Sequence, residues 1–227
     1  AVARDRDLGM DVVLQSRAVD GDAQLADFRR RAAALMRIPP HPGVPVVRSD
    51  FVADGRYVLV CDHIDGADLS SSVGARGAGL ALAEVLAVVD TVATALDHLH
   101  AQRPPVVHGG VEPAHLIRAA DGRVVLVDFG GALRAPGAGA ATAPAYAAPE
   151  IVAGELPAPA ADLYALAATT AFLLTGVAPQ VGAPWGAVLT SAGLGRLERV
   201  IRGGLTWDPI GRPRTAGEFA ARLRDAA

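Results

Sequence analysis

With 227 residues, 51% of them hydrophobic, the chain is long enough to bury one sizeable core or two smaller ones. A net charge of −3 and a pI near 6.1 give no reason to expect nucleic acid or an anionic membrane as partner. No apolar run approaches the roughly 20 residues of a membrane span and no signal-peptide pattern is present, while the lone Cys61 excludes an intramolecular disulfide and fits a reducing, cytoplasmic setting.

In chain order, residues 1–19 alternate in strand fashion, with Val12, Val13 and Leu14 as a buried run after a turn at Asp7 to Met10. Residues 24–38 predict an amphipathic helix, with Leu25, Phe28, Ala32 and Leu35 on one face, ended by Pro39 and Pro40. Val46 to Val52 and Tyr57 to Val60 predict two strands around an Asp54-Gly55 turn. Ser and Gly enrichment makes residues 70–79 a connecting loop, and residues 82–102 predict a long helix whose His98 and His100 are surface or capping residues. Residues 106–130 predict a buried strand-loop-strand unit: a loop at His108-Gly109-Gly110, β-rich runs at Leu116-Ile117 and Val124 to Val127, and an Asp128-Phe129-Gly130 turn. A third, buried helix opens at Asp162 and ends at Gly176, a fourth covers residues 194–201, and Thr215 with Glu218 forms a capping box for the last.

This order resembles the protein kinase family, of the bacterial Ser/Thr type. The resemblance rests on His108-Gly109-Gly110 in place of His-Arg-Asp, on Asp128-Phe129-Gly130, and on Thr142 to Glu150 for the run that closes the activation segment. Asp162 and Asp208 to Pro213 complete it. Gly110 precedes Asp128 by 18 positions, Glu150 follows 22 later and Asp162 another 12 on. The resemblance implies an α+β, two-lobed fold: a partial β-rich small lobe over residues 1–61, lacking the first strand and glycine loop, a hinge at 62–69, and a helical large lobe over 70–227. It places Val13, Cys61, Asp62, His63, Ile64, Ile117 and Asp128 around a nucleotide-shaped slot, with Cys61 as a small buried hydrophobe. His108, Phe129, Gly130, Glu150, Asp162 and Arg212 become framework residues. Arg212 is expected to form a bidentate ion pair with Glu150.

The chemistry positions are degenerate. Gln15 stands at the phosphate-binding lysine and Arg31 at its glutamate partner, where an ordinary solvated arginine is expected. Gly110 stands at the base that takes the substrate proton, Glu112 at the catalytic-loop lysine, and His115 at the asparagine that binds a second metal. The chain contains no lysine and no asparagine, so neither can be recruited from elsewhere. Losing a base costs about 10²–10⁴ in rate. The resemblance therefore implies a pseudokinase: no enzyme, no cofactor, no metal unless Asp128 alone takes Mg²⁺, and no control by phosphorylation, with Thr142 the one hydroxyl and Ala143 replacing the substrate-orienting threonine. A zinc site from His108, His115 and Asp128 has no support in the spacing. The expected role is an interaction or regulatory module of a larger protein, bound to a protein partner or neighbouring domains, without nucleic-acid or membrane contact. The alternatives are an atypical phosphotransferase with Glu112 or Asp128 as base, and a metal-independent nucleotide sensor.

Overall fold

Strands arise where β-branched residues alternate in the first sixty positions, and they form an antiparallel sheet of order β1-β2-β4-β3: Val2–Asp5, Met10–Ala18, Arg56–Asp62 and Val47–Ala53. The computed structural model describes residues 1–7, 9–129, 131–133, 146–177 and 185–227. Asp54 and Gly55, with φ of 49° and 68°, turn β3 into β4 as an Asp-Gly hairpin requires. Helix α1, Gly21–Leu35, buries Phe28, Ala32 and Leu35 against the sheet, with Phe28 5.4 Å from the Tyr57 ring. Ala95, Leu99, Phe129 and Leu133 enter this same core from the other lobe. Two side chains of a long helix and two from the Asp128 turn thus fasten the lobes together.

The larger lobe is helical. Helix α2, Leu69–Arg76, follows a short strand β5, Gly66–Asp68, and α3 spans Leu82–His100. Strands β6, Leu116–Ala119, and β7, Val124–Leu126, complete a second sheet of order β5-β6-β7. A one-turn α4, Pro149–Val152, precedes α5, Pro159–Thr175. Helix α5 buries residues around its whole circumference from Ala161 to Leu173, as expected of a helix at the centre of a lobe. Helices α6, Trp185–Ser191, α7, Arg196–Gly204, and α8, Ala216–Ala226, pack around it. Among the described residues no helix is long and apolar enough to cross a membrane.

Three segments differ from the sequence reading. The loop expected at 70–79 is mostly α2, because Leu69 and Val73, four residues apart, are 0% and 2% exposed, and that burial outweighs the poor propensity of Ser and Gly. Asp68 caps it through the Ser71 amide at 2.7 Å, and Gly77, φ 62°, ends it. Helix α1 begins earlier than expected and stops at Leu35, well before the prolines. Helix α6, unread in the sequence, forms because Trp185 and Leu189 share one buried face.

The expected ion pair forms. Arg212 Nη1 and Nη2 donate to Glu150 Oε1 and Oε2 at 2.6 and 2.7 Å, with side-chain exposures of 0% and 9%. The guanidinium also donates to the carbonyls of Thr206, Ala160 and Trp207 and lies 5.1 Å from the Tyr164 ring centroid. The chain after α7 is thereby tied to the start of α4.

Candidate functional site

One buried carboxylate shapes the loop that follows α3. Asp162, in the first turn of α5, accepts from the His108 and Gly109 amides, each at 2.8 Å, and from His100 Nε2 at 2.8 Å. The helix N-terminus favours a negative charge there. His100 is therefore not the surface or capping residue the sequence suggests but a link between α3 and the loop. His98 places Nε2 2.9 Å from the Pro39 carbonyl and stacks on His41 with centroids 4.9 Å apart. Gly109 has φ 68°, and a Cβ at Gly131 would stand 2.3 Å from its carbonyl, so two glycines meet backbone to backbone.

His108 and Phe129 are both fully buried, with ring centroids 5.4 Å apart. Neither His108 nitrogen has a hydrogen-bond partner among the described residues, although a Val127 backbone group lies close enough to favour the charged ring slightly. Burial dominates and pushes the His108 pKa down to about 4, against the opposing pull of Asp162. The ring packs as a neutral wedge behind the turn.

In front of it the loop opens. A Cβ on Gly110 would meet only His115 Nδ1 at 3.5 Å and the His108 ring at 3.8 Å, ordinary contacts, so the missing base leaves space. A hollow of about 30 Å³ adjoins it, lined by residues that include Gly110, Glu112, Tyr146 and Ile151, with room for about two waters. Burial and then the Glu112 charge raise the Tyr146 phenol above its ordinary value.

His115 gathers the remaining charge. Its Nδ1 lies 2.7 Å from the Gly110 carbonyl, which can only accept, so Nδ1 carries a proton and Nε2 faces the carboxylates. Asp128 Oδ2 lies 3.3 Å away and Glu112 Oε1 3.6 Å away. Burial lowers the His115 pKa, but the bond to Asp128, the Gly110 carbonyl and both carboxylate charges outweigh it, and the net shift is upward. Asp128 holds φ 69°, a conformation few residues other than glycine adopt.

The small lobe contributes differently. Val13 lies across the ladder from Cys61 and Gln15 from Leu59, and the Gln15 Oε1 is buried without a partner among the described residues. Such an orphaned acceptor suits a ligand bearing N–H or O–H groups. Cys61 is 2% exposed, and burial followed by the Asp128 and Asp62 charges pushes its thiol up to about 12. It is a packing residue within the electrostatic reach of Asp128. Asp62 pairs with Arg48, and His63 and Ile64 follow half-buried. Ile117 lies across from Val125.

Arg31 is not simply solvated. Its Nε donates to Asp27 at 2.8 Å and its Nη1 reaches the Ala132 carbonyl at 3.3 Å, linking α1 to the segment after Phe129. Gly130, Thr142 and Ala143 lie outside the described residues.

Among the described residues no group of three or more His, Cys, Asp and Glu is disposed to hold a metal ion. Asp128, 3.3 Å from His115 Nε2, is the carboxylate that would meet a divalent ion, and only if nucleotide phosphates supplied the ion's other ligands. Such an ion neutralises phosphate charge. Asp128 would hold it, Gln15 would donate to the nucleotide without charge, and the hollow beside Gly110 would admit a hydroxyl next to Glu112 rather than next to an aspartate at position 110.

A family model described as protein kinase domain matches residues 13–184. The Ser/Thr-protein kinase PknJ of Mycobacterium tuberculosis is 32% identical over 96% of this chain and 41% of its own length. PknI of the same organism is 33% identical over 88% of the chain and 35% of its length. The PknI kinase domain, crystallised as a double mutant, superposes with a TM-score of 0.77 at 31% identity, covering 95% of this chain and 85% of that one. The chain spans about two fifths of the length of PknJ.

These relatives overturn two expectations. Ser/Thr protein kinases are enzymes that use ATP and Mg²⁺, so assigning no enzymatic function and no cofactor does not stand. His115 Nε2 stands between Asp128 and Glu112, while His108, grouped with His115 and Asp128 in the sequence, packs behind Phe129 instead. With the matched span, the ordered motifs and the fold in agreement, the chain belongs to the protein kinase domain family, as a bacterial Ser/Thr kinase-like member.

Proposed function

We propose that this domain binds a nucleotide with a divalent ion between its lobes and serves a longer protein as a regulatory or interaction module, with phosphoryl transfer slowed by its altered loop. The observation that carries the reading is an intact framework around altered chemistry. Asp162 holds the loop and Arg212 with Glu150 holds the lobe, while Gly110 offers no carboxylate where a proton must be accepted. Such a frame presents a nucleotide-sensitive shape whether or not turnover is fast. A thermal-shift titration of the full chain with ATP and a divalent ion tests it. Saturable stabilisation is expected, and its absence at millimolar ATP would defeat the proposal.

A second reading has one observation in its favour. Glu112 lines the hollow beside Gly110, where a substrate hydroxyl would lie, so it can accept that proton directly or through a water. The domain is then an atypical phosphotransferase. Transfer of the γ-phosphate of ATP that survives Glu112→Gln would remove this reading and leave the first intact.

A further inference from the structure

Between α1 and β3, the turn at residues 41–44 is pinned from several sides. His41 Nδ1 accepts from the Gly43 amide at 3.1 Å, and the Val44 amide donates to the His41 carbonyl at 3.0 Å. The Gly43 carbonyl accepts from the Leu126 amide at 2.9 Å, and Arg123 Nη1 donates to the Pro42 carbonyl at 3.2 Å. The turn is thus tied to β7 two residues before Asp128. Its other side rests on α3. A Cβ on Gly43 would stand 3.2 Å from Ala95 Cβ, and the His41 ring stacks on His98 with centroids 4.9 Å apart and planes 23° from parallel.

These contacts fix where the imidazole protons sit. The Pro39 carbonyl can only accept, so His98 Nε2, 2.9 Å from it, carries a hydrogen. His41 Nδ1 accepts from an amide and carries none, which leaves its hydrogen on Nε2 and the ring neutral. A second proton could bind only at Nδ1. It would set N–H against N–H at Gly43 and place a positive charge over the face of another imidazole.

We propose that the His41–His98 stack is a proton-operated latch, in which protonation of His41 frees the turn at residues 41–44 from strand β7. Once the turn opens, the ring enters water and takes a proton more readily, so falling pH favours opening. Burial first, and then the His98 charge, hold His41 below its ordinary value of 6.5. The closed turn is therefore fully favoured above pH 6.5 and loses that advantage as pH falls further. The other charges in the groove beside His41 do not offset this. Arg123, from the turn between β6 and β7, is itself positive and paired with Asp121. Along α3, Glu84 is paired with Arg76 and Arg118, and Asp90 with Arg224. The latch stands whether or not a nucleotide binds.

The test is an NMR titration of the full chain between about pH 8 and pH 5, following the Gly43 and Leu126 amides in the parent, in His98→Gln and in His41→Asn. In the parent the two amides should shift together, with one midpoint below 6.5. His98→Gln keeps a donor for the Pro39 carbonyl and removes the facing charge, so the midpoint should move up. His41→Asn keeps an acceptor for the Gly43 amide that takes no proton in this range, so the joint shift should vanish. Amides that stay flat in the parent, a transition that survives His41→Asn, or a midpoint unmoved in His98→Gln would each overturn the proposal.

Discussion

Truncating Arg212 to alanine should cost the domain about 4 kcal/mol, the scale for breaking a buried ion pair from one side. The structure supplies the reasons. Arg212 is 0% exposed along its side chain and donates two hydrogen bonds to Glu150 and three to the carbonyls of Thr206, Ala160 and Trp207. Alanine leaves a carboxylate with 9% exposure facing no cation, three orphaned acceptors and a cavity beside the Tyr164 ring. Urea unfolding followed by tryptophan fluorescence measures the loss, which for a domain of this size corresponds to a fall of roughly 10 °C in Tm. Arg4→Ala is the control, because its pair with Asp11 is 62% and 52% exposed and should contribute within about 0.5 kcal/mol. A loss below about 1 kcal/mol for Arg212→Ala would refute the claim that this pair holds the large lobe together.

Three further outcomes follow from the same geometry. Gly110→Asp fits the space beside His115, so combined with Gln15→Lys it should fold and raise γ-phosphate transfer by at least about 10², while an unchanged rate would show that the base is not what limits turnover. His108 has a folded pKa of about 4 against an ordinary 6.5, so the unfolded chain takes the proton first as pH falls. Its contribution to stability is thus full above pH 6.5 and decreases by roughly 3 kcal/mol as pH drops to 4. His108→Leu should remove that part of the slope in urea titrations at pH 7 and 4.5; the same slope in both proteins would exonerate the ring. Gly131→Ala forces a Cβ to within 2.3 Å of the Gly109 backbone and should destabilise by at least about 1–3 kcal/mol, measured by the urea midpoint.

The sequence made the framework legible because its signals are local or fall in a fixed order. Asp54-Gly55 announces its hairpin, Gly176 ends α5 with φ 70°, and Glu150 and Arg212 meet across 62 positions. What it hid depends on tertiary contact. Helix α2 forms on two buried side chains rather than on propensity, and the reach of Arg31 to Ala132 crosses 101 positions without a motif. The His115 cluster left a faint trace. The Asp121-Gly122 turn pairs Leu116 with Leu126, which puts His115 beside Val127, whose amide donates to its carbonyl at 2.8 Å, and so beside Asp128. The hairpin register thus joins His115 to Asp128, whereas sequence spacing alone gave the pair no support and added His108, which lies behind Phe129.

Calorimetric titration of the full chain and of Asp128→Ala with ATP and with adenosine, each with a divalent ion, tests the account at its centre. ATP is expected to bind the parent about tenfold tighter than adenosine, and to fall to the adenosine level in Asp128→Ala, because that carboxylate holds the ion that meets the phosphates. Equal binding of ATP and adenosine to the parent, or ATP binding that Asp128→Ala leaves untouched, would contradict it.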